Sequence, residues 1–385
     1  MRSQGLFKSV SSTIEAVTGL DHPVEFGTPG TGSMNNVLIV TGGAGFIGSC
    51  FVRRWLTHNK SPLVNLDKLT YAGNLQSLTS VANHPLYAFV QGDIGDFQFV
   101  RNLLAEHQPR AVINFAAESN VDRSIDQPAD FLETNVVGTF RLLETVHDYW
   151  KVLSDSSKND FRFVQISTDE VYGSLPPQGR FCESSRYQPN SPYSASKAAG
   201  DHFVRSYYRT FGLPTIITHC SNNYGAYQFP EKLIPLMILN ALQARPLPVY
   251  GDGKHVRDWL YVEDHCRALE CILDHGSVGE SYNIGGDCEV ANVDLVEMIC
   301  DLIDQLCPRL PHSPCRSLIN HVLDRPGHDR RYSVDASKIR HLGWQPKMDL
   351  ATGLQHTVKW YVKNEAWWKD VAKGKYQFER LGSPR

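Results

Sequence analysis

The sequence predicts an α/β fold, a doubly wound parallel sheet with a smaller, mixed α/β domain toward the C-terminal side. Three observations carry this. Short apolar runs alternate with stretches of helical period. The first run ends in a glycine-rich turn that opens a helix. The chain of 385 residues is long enough for one large α/β domain or two coupled ones, with ample material for a core and no need of a metal or disulfide staple.

Residues 37–40 (VLIV) form an apolar run closed by Thr41-Gly42, which suits a strand buried on both faces. Gly42, Gly45 and Gly48 follow at three-residue spacing in TGGAGFIG, and 46–58 reads as a helix. Glycines there allow a tight turn, close backbone approach to a pyrophosphate and close helix–strand packing. The helix N-terminus then offers free N–H groups to phosphate. Any strand-to-helix turn can use glycine, so the triplet gains its weight from context. The next strand, 63–66, ends at Asp67, 19 residues beyond Gly48. An acid at that spacing hydrogen-bonds a ribose 2′-OH and repels a 2′-phosphate, which favours NAD over NADP. A strand at 87–91 runs into Gly92-Asp93-Ile94, and a helix at 97–106, a strand at 111–114, a helix at 131–149 and a strand at 161–167 follow. Such alternation implies a parallel sheet with ligands at the strands' carboxyl ends.

Composition narrows the function classes. Hydrophobic residues make up 42% and charged residues 21%, with net charge −3 and pI near 6.6. These are globular proportions with no field to recruit nucleic acid. Nine cysteines without a C-x-x-C pair read as buried free thiols of a cytoplasmic protein rather than a disulfide framework or zinc cluster, so no metal is expected. No apolar run approaches ~20 residues, so no membrane span is expected. Residues 1–33 stand apart: a weak apolar pattern leads into the joint TPGTGS, with no continuous apolar core of a secretory leader. They read as a flexible extension without an assigned function. The 307–317 stretch, rich in Pro and Cys, reads as a surface loop.

Chemistry concentrates in two places. Tyr193 and Lys197 stand four apart in YSASKAAGDHFV, a stretch of helical spacing, so they share a face. A nearby ammonium favours phenolate and lowers the phenol pKa from its ordinary ~10, fitting Tyr193 to take an alcohol proton as hydride leaves the same carbon. Thr168-Asp169-Glu170 follows the 161–167 strand, where a parallel sheet places its chemistry. Adjacent carboxyls titrate apart, so one can act as acid and the other as base. Elimination of water needs an acidified C–H, which a neighbouring ketone provides. The competing reading of Thr-Asp-Glu is a helix cap.

With these motifs the chain resembles the extended short-chain dehydrogenase/reductases of Rossmann type, in their sugar-nucleotide branch. Over about residues 36–380 it is similar to the dTDP-glucose 4,6-dehydratase family. The matching stretches are TGGAGFIGS, LDKLTYAGN, QGDI, NFAAESNVDRSI, TNVVGT, STDEVYG, YSASKA, SNNYGAYQFPEKLIPL, PVYGDGKHVRDWLYVEDHCRAL and DRPGHDRRY. The resemblance implies a lyase that oxidises the sugar at C4, eliminates water across C5–C6 and reduces C6 with the same hydride. The product would be a dTDP-4-keto-6-deoxyglucose. Thr168, Asp169, Glu170, Tyr193 and Lys197 would be catalytic. Gly42, Gly45, Phe46, Ile47, Gly48, Asp67, Lys68, Thr70, Asp93, Ile94, Ala116, Ala117, Ser119, Thr134, Tyr193, Lys197 and Asn222 would hold NAD. Ser119, Thr168, Asn222, Lys232, Leu233, Pro248, Tyr250, Arg257, Asn292, Arg325, His328 and Tyr376 would hold the nucleotide sugar.

A nucleoside diphosphate carries about two negative charges, which arginine forks match. The competing fates are surface pairs of Arg257 with Asp258 or Asp252, and of Arg325 with Asp324. GDG at 251–253 reads as a turn rather than a phosphate cradle. The resemblance also implies an NAD-binding domain at 34–219, a mainly substrate-binding domain at 220–385 with some segments returning to the first, and a homodimer through helices at 128–150 and 191–211. Asn120 stands where the family has His, and Ala226 where it has Pro. Asn can donate a hydrogen bond but does not titrate near neutrality. UDP-glucose or GDP-mannose dehydratases, a 4-epimerase or decarboxylase, and a non-catalytic NAD-binding protein are the alternative readings. The last would erode Tyr193, Lys197, Asp169 or Glu170, and all four are present.

Overall fold

A computed structural model describes residues 36–58 and 61–372. The expected extension at 1–33 and Tyr376 lie outside the described residues. The first six strands are β1 (Leu38–Thr41), β2 (Leu63–Asp67), β3 (Tyr87–Gln91), β4 (Ala111–Asn114), β5 (Arg162–Thr168) and β6 (Thr215–Cys220). After β7 (Asn222–Tyr224), β8 (Leu247–Tyr250) and β9 (Val256–Tyr261) comes β10 (Ser281–Ile284). β1–β6 and β10 form one seven-stranded sheet in the order β10-β6-β5-β4-β1-β2-β3, with every pairing parallel. Leu38 lies opposite both Leu63 and Ala111. The order reverses between β1 and β4, the switch point where such sheets bind ligands. The doubly wound reading therefore holds, and a strand from beyond residue 219 completes the sheet.

The apolar runs are buried on both faces because helices cover both. α1 (Phe46–His58) brings Phe51, Val52 and Trp55 against β1 and β2. α2 (Phe97–His107) begins where Asp96 accepts the N–H of Phe99, the capping that follows from Asp just before an apolar stretch. The expected helix at 131–149 is a composite. A turn at Pro128–Phe131 runs into a wide π-helical segment at Leu132–Gly138, then into α3 (Thr139–Lys151). Wide turns of this kind re-aim backbone and side chains at functional sites. α4 (Pro192–Phe211) has a complete start: Ser191 and Ser194 cap each other's backbone N–H, Pro192 occupies the first turn, and Gly212 ends the helix at φ 77°.

The remaining chain builds a second core around α5 (Leu233–Leu242), α7 (Asn292–Leu306) and α8 (Leu350–Lys363), where Met237, Ile238, Ile299 and Tyr361 are fully buried. Between α5 and α7, helix α6 (Val262–His275) instead packs Cys266 and Leu269 onto the first core. Small sheets of β11 (Glu289–Ala291) with β9 and β7, and of β12 (Ile319–Val322) with β8, frame this part. All nine cysteines are free. The 307–317 stretch is mostly exposed, with Cys315 buried beneath it. Among the described residues no helix is long and apolar enough to cross a membrane.

Candidate active site

At the switch point the glycines do what their spacing anticipated. Gly42 sits at φ +68°, and a Cβ there would lie 2.6 Å from the Ala116 nitrogen. A Cβ on Gly48 would lie 2.3 Å from the Gly42 oxygen, so α1 packs directly on the turn. These contacts make a cradle that only glycine leaves open, the observation by which the residues fit a dinucleotide pyrophosphate. Asp67 closes the next turn: its carboxylate accepts N–H groups of Ala44 and Leu69, each at 2.8 Å, while burial pushes its pKa up. Lys68 pairs with Asp93 at 2.7 Å.

A cavity of about 300 Å³ opens above these strand ends. Every residue expected at the cofactor lines it: Gly42, Gly45, Phe46, Ile47, Gly48, Asp67, Lys68, Thr70, Asp93, Ile94, Ala116, Ala117, Ser119, Thr134, Tyr193, Lys197 and Asn222. Thr168, Asp169, Glu170 and Lys232 line it too, as do Cys220 and Glu118, which sequence reasoning did not single out.

Thr168 ends β5, and its Oγ1 accepts the Glu170 N–H at 3.2 Å, so the cap reading is realised, on residues that line the cavity. Its hydroxyl donates to Asp169 Oδ1 at 3.4 Å. Asp169 is 2% exposed, and its Oδ2 has no partner among the described residues. Burial, then Glu170 and Asp258, push its pKa well up. Burial also raises Glu170, against the opposing pull of Arg325, Arg257 and Lys232. Lys197 is buried and donates to the Ile166 oxygen at 2.7 Å, and burial lowers its pKa.

The phenol of Tyr193 departs from the sequence expectation. Its pKa is raised well above the ordinary value by burial and by the Glu170 carboxylate. The ammonium expected to depress it is engaged with the backbone, and these two effects prevail.

Substrate-side residues form a second group. Lys232 donates to the Ser119 oxygen at 2.5 Å, and Leu233 opens α5 behind it. Arg257 is 5% exposed, donates to the backbone oxygens of Val256 and Asp329 at 2.8 and 3.0 Å, and lies over the Tyr332 ring. Among the described residues no carboxylate pairs with it. Asp258 instead accepts backbone N–H groups of Gly286 and Cys288, and Asp252 pairs with Arg330. Arg325 pairs with Asp122 at 2.7 Å, not with Asp324. Asp122 also accepts the Tyr250 hydroxyl at 2.8 Å.

His328 bonds Asp324 at 2.6 Å and stacks on His255, ring centroids 3.7 Å apart. His255, Asp324 and His328 bring ligand-type atoms within 4.8 Å of one another. Burial and the charges of Arg325 and Arg257 push His328 down to about 3, so these surroundings suit an anion. Asn292 keeps a buried Oδ1 without a partner among the described residues. Pro248 lies in β8, opposite Asn320. Leu233, Pro248, Tyr250, Arg257, Asn292, Arg325 and His328 do not border the 300 Å³ cavity itself. The 251–253 segment is a turn, with Gly251 and Gly253 at positive φ. Asn120 caps the helix Val121–Asp126 by accepting the Arg123 N–H.

Several residues that shape the site had no role in the sequence reading. Asn135, in the wide helical segment, accepts the Glu118 N–H, donates to the Glu118 oxygen and reaches Ser196, each at 2.9 Å. It thereby ties the loop after β4 to α4. Glu231 accepts from Arg123 and Tyr71, both at 2.9 Å, joining the helix Val121–Asp126 and the turn after β2 to the segment before Lys232. Asp201, one helical turn beyond Lys197, accepts the Ser167 hydroxyl at 2.6 Å. Its helical spacing was the available signal. Asn135 and Glu231 lie within TNVVGT and FPEKL, but only distant partners reveal their work.

A switch-point dinucleotide cradle beside a Thr/Tyr/Lys set defines an NAD-type enzyme of the short-chain dehydrogenase/reductase class. The GDP-mannose 4,6 dehydratase family matches residues 39–357. The chain is 56% identical over 346 residues to a dTDP-glucose 4,6-dehydratase of Xanthomonas campestris, covering 90% of this chain and 98% of that one. It is 53% identical over 357 residues to an Escherichia coli enzyme of the same name, covering 90% and 99%. The dTDP-glucose 4,6-dehydratase of Bacillus anthracis, solved in complex with NAD, superposes with TM-score 0.76 at 46% identity over 87% of this chain and 99% of that one. A Thermotoga maritima UDP-glucose 4-epimerase shares the fold at TM-score 0.74 with 26% identity, over 86% and 99%. The chain belongs to the dTDP-glucose 4,6-dehydratase family.

Proposed function

We infer that the protein converts dTDP-glucose to dTDP-4-keto-6-deoxy-D-glucose: C4 is oxidised, water is lost across C5–C6 and C6 is reduced. The observation that carries this reading is the adjacent Asp169–Glu170 pair lining the same cavity as Tyr193, with Asp169 buried and one of its oxygens without a partner among the described residues. An epimerase that oxidises C4 needs no such pair. The two carboxyls face different charges. Asp169 has Glu170 and Asp258 against it, while three cations act on Glu170. Asp169 is therefore raised further than Glu170, which makes Asp169 the acid of the pair and Glu170 the base.

In this mechanism Tyr193 removes the C4 hydroxyl proton while Thr168 holds that oxygen. Glu170 takes the proton from C5 and later returns it. Asp169 protonates the departing C6 hydroxyl. Lys197 holds the nicotinamide ribose. NAD, which the Gly42–Gly48 turn and Asp67 would hold, would supply the hydride-transfer chemistry and a positive charge that favours the Tyr193 phenolate. Arg257 and Arg325 receive the diphosphate, and His328, Asn292 and Tyr250 enclose the nucleoside.

Two further features support this reading. Leu132, Phe140, Phe203 and Phe211 are exposed along the Leu132–Gly138 segment, α3 and α4, with the Phe140 and Phe203 rings 5.6 Å apart. A second copy of the chain covers this face as a two-fold homodimer. Nine free cysteines suit a reducing, cytoplasmic setting.

The test is incubation with dTDP-, UDP- and GDP-hexoses, following the base-induced absorbance of the 4-keto-6-deoxy product. Turnover of another sugar nucleotide without turnover of dTDP-glucose overturns the assignment.

A further inference from the structure

We propose that Asp122 is a positioning residue of the nucleotide site: its carboxylate holds the Arg325 guanidinium and the Tyr250 phenol where an incoming nucleoside diphosphate meets them. This rests on the roles just assigned to Arg325 and Tyr250. Asp122 acts through those two side chains and stands far from both in sequence.

The loop after β4 lines the cofactor cavity with Ala116, Ala117, Glu118 and Ser119. It runs directly into the helix Val121–Asp126, which Asn120 caps. Asp122 is the second residue of that helix. Its Oδ1 accepts from Arg325 Nη1 at 2.7 Å, and its Oδ2 accepts the Tyr250 hydroxyl at 2.8 Å. These bonds span 203 and 128 residues, so one carboxylate joins the cofactor loop to two separate segments of the substrate half. Arg123, next in the helix, pairs with Glu231 at 2.9 Å, a bond that opposes rotation of the helix.

An ordinary surface ion pair contributes little and positions nothing. Three observations set this one apart. The side chains of Asp122 and Arg325 are each 16% exposed, so the pair is largely out of water. Arg325 passes over the acid beside it, because Asp324 is occupied by His328 and His255 at 2.6 and 3.2 Å. The two Asp122 oxygens are also divided between two side chains instead of both closing on the guanidinium. Arg325 Nε is left buried and without a partner among the described residues. A guanidinium carries five N–H donors, so the one Asp122 takes fixes the fork while others stay open to a phosphate. The charge so placed acts on Glu170, near the reacting carboxyls. Without Asp122 both side chains would be ordered only when the nucleotide binds, and affinity would bear that loss of side-chain freedom.

Calorimetric titration of the NAD-loaded full chain with dTDP tests this. Asp122→Ala should weaken dTDP by on the order of 10-fold, the effect of freeing two side chains. Asp122→Asn offers an oxygen to Arg325 and an N–H to the Tyr250 oxygen at the same reach, and should bind within about twofold of the wild type. Asp122→Glu keeps the charge and both oxygens but displaces them by the length of a methylene, and should weaken dTDP as Asp122→Ala does. In an Arg325→Met, Tyr250→Phe background, Asp122→Ala should have no further effect, because it acts only through those two residues. Wild-type affinity in Asp122→Ala, tighter binding by Asp122→Glu than by Asp122→Asn, or a loss that persists in full in the double background overturns the proposal. Should Asp122→Ala not fold, the comparison of Asp122→Asn with Asp122→Glu decides. A wild type that binds dTDP but does not turn over dTDP-glucose would instead refute the assigned reaction.

Discussion

Replacing Glu170 with Gln separates the half-reactions of the assigned chemistry. The substitution keeps volume and hydrogen-bonding reach but removes the group assigned to take the C5 proton. Positioned bases contribute about 10²–10⁴-fold, or ~3–5 kcal/mol of barrier, so elimination should slow by that factor. Oxidation should survive, because Tyr193, Thr168 and Lys197 remain in place. It should also respond in a specific way. The Glu170 carboxylate is the main charge holding the Tyr193 phenol up, after burial. Without it the phenol pKa falls, so the phenolate is present at lower pH and the acidic limb of the oxidation step moves to lower pH. Mixing the variant with dTDP-glucose in a stopped-flow spectrometer should therefore show enzyme-bound NAD accumulating in its reduced form, with no 4-keto-6-deoxy product. Product formation at the wild-type rate would refute Glu170 as the C5 base. Absence of any reduced NAD would show that Glu170 is needed for oxidation, which the geometry denies.

Three other outcomes follow. Arg257→Met removes a buried guanidinium that has no carboxylate partner among the described residues, so dTDP affinity measured by calorimetry should drop by about 1.5–3 kcal/mol while thermal stability holds or rises; unchanged affinity would remove Arg257 from the diphosphate site. Gly48→Ala places a methyl 2.3 Å from the Gly42 oxygen, so purified protein should retain little NAD and melt lower by about 1–3 kcal/mol, as NAD content and calorimetry would read. Burial raises Asp258 from 3.8 to about 6. A raised acid favours the folded state at low pH, so its contribution declines as pH climbs from about 4 to about 6, by about 3 kcal/mol in all. Melting of the wild type minus that of Asp258→Asn should show that decline and then level off, and a flat difference would contradict it.

Much of this was legible in the sequence for local reasons. The run VLIV before TGGAGFIG is a short-range pattern, and β1, its glycine turn and α1 form where it places them. Asp67 closes β2, and Tyr193 and Lys197 share a helix face. What escaped depends on distant partners and on burial. Nothing in DRPGH announces that Arg325 reaches across to Asp122 rather than to its neighbour Asp324. Nothing in TNVVGT announces a wide helical turn whose Asn135 clamps the Glu118 backbone. The ionisation of Tyr193 was misjudged because spacing reveals that a lysine is near, but not that its ammonium is spent on a carbonyl while a carboxylate lies close by.

The position of β10 bears on how this protein can be cut and rebuilt. Because Ser281–Ile284 pairs in parallel with Ile217–Cys220, a fragment ending near residue 219 would carry the nucleotide cradle yet leave β6, buried along its whole length, as a bare and sticky rim. Grafting the sugar-recognising half onto another dinucleotide cradle would need this strand supplied in trans or replaced by a charged edge. Modular shuffling at the midpoint should therefore yield inclusion bodies, while exchange of surface loops such as 307–317 should be tolerated.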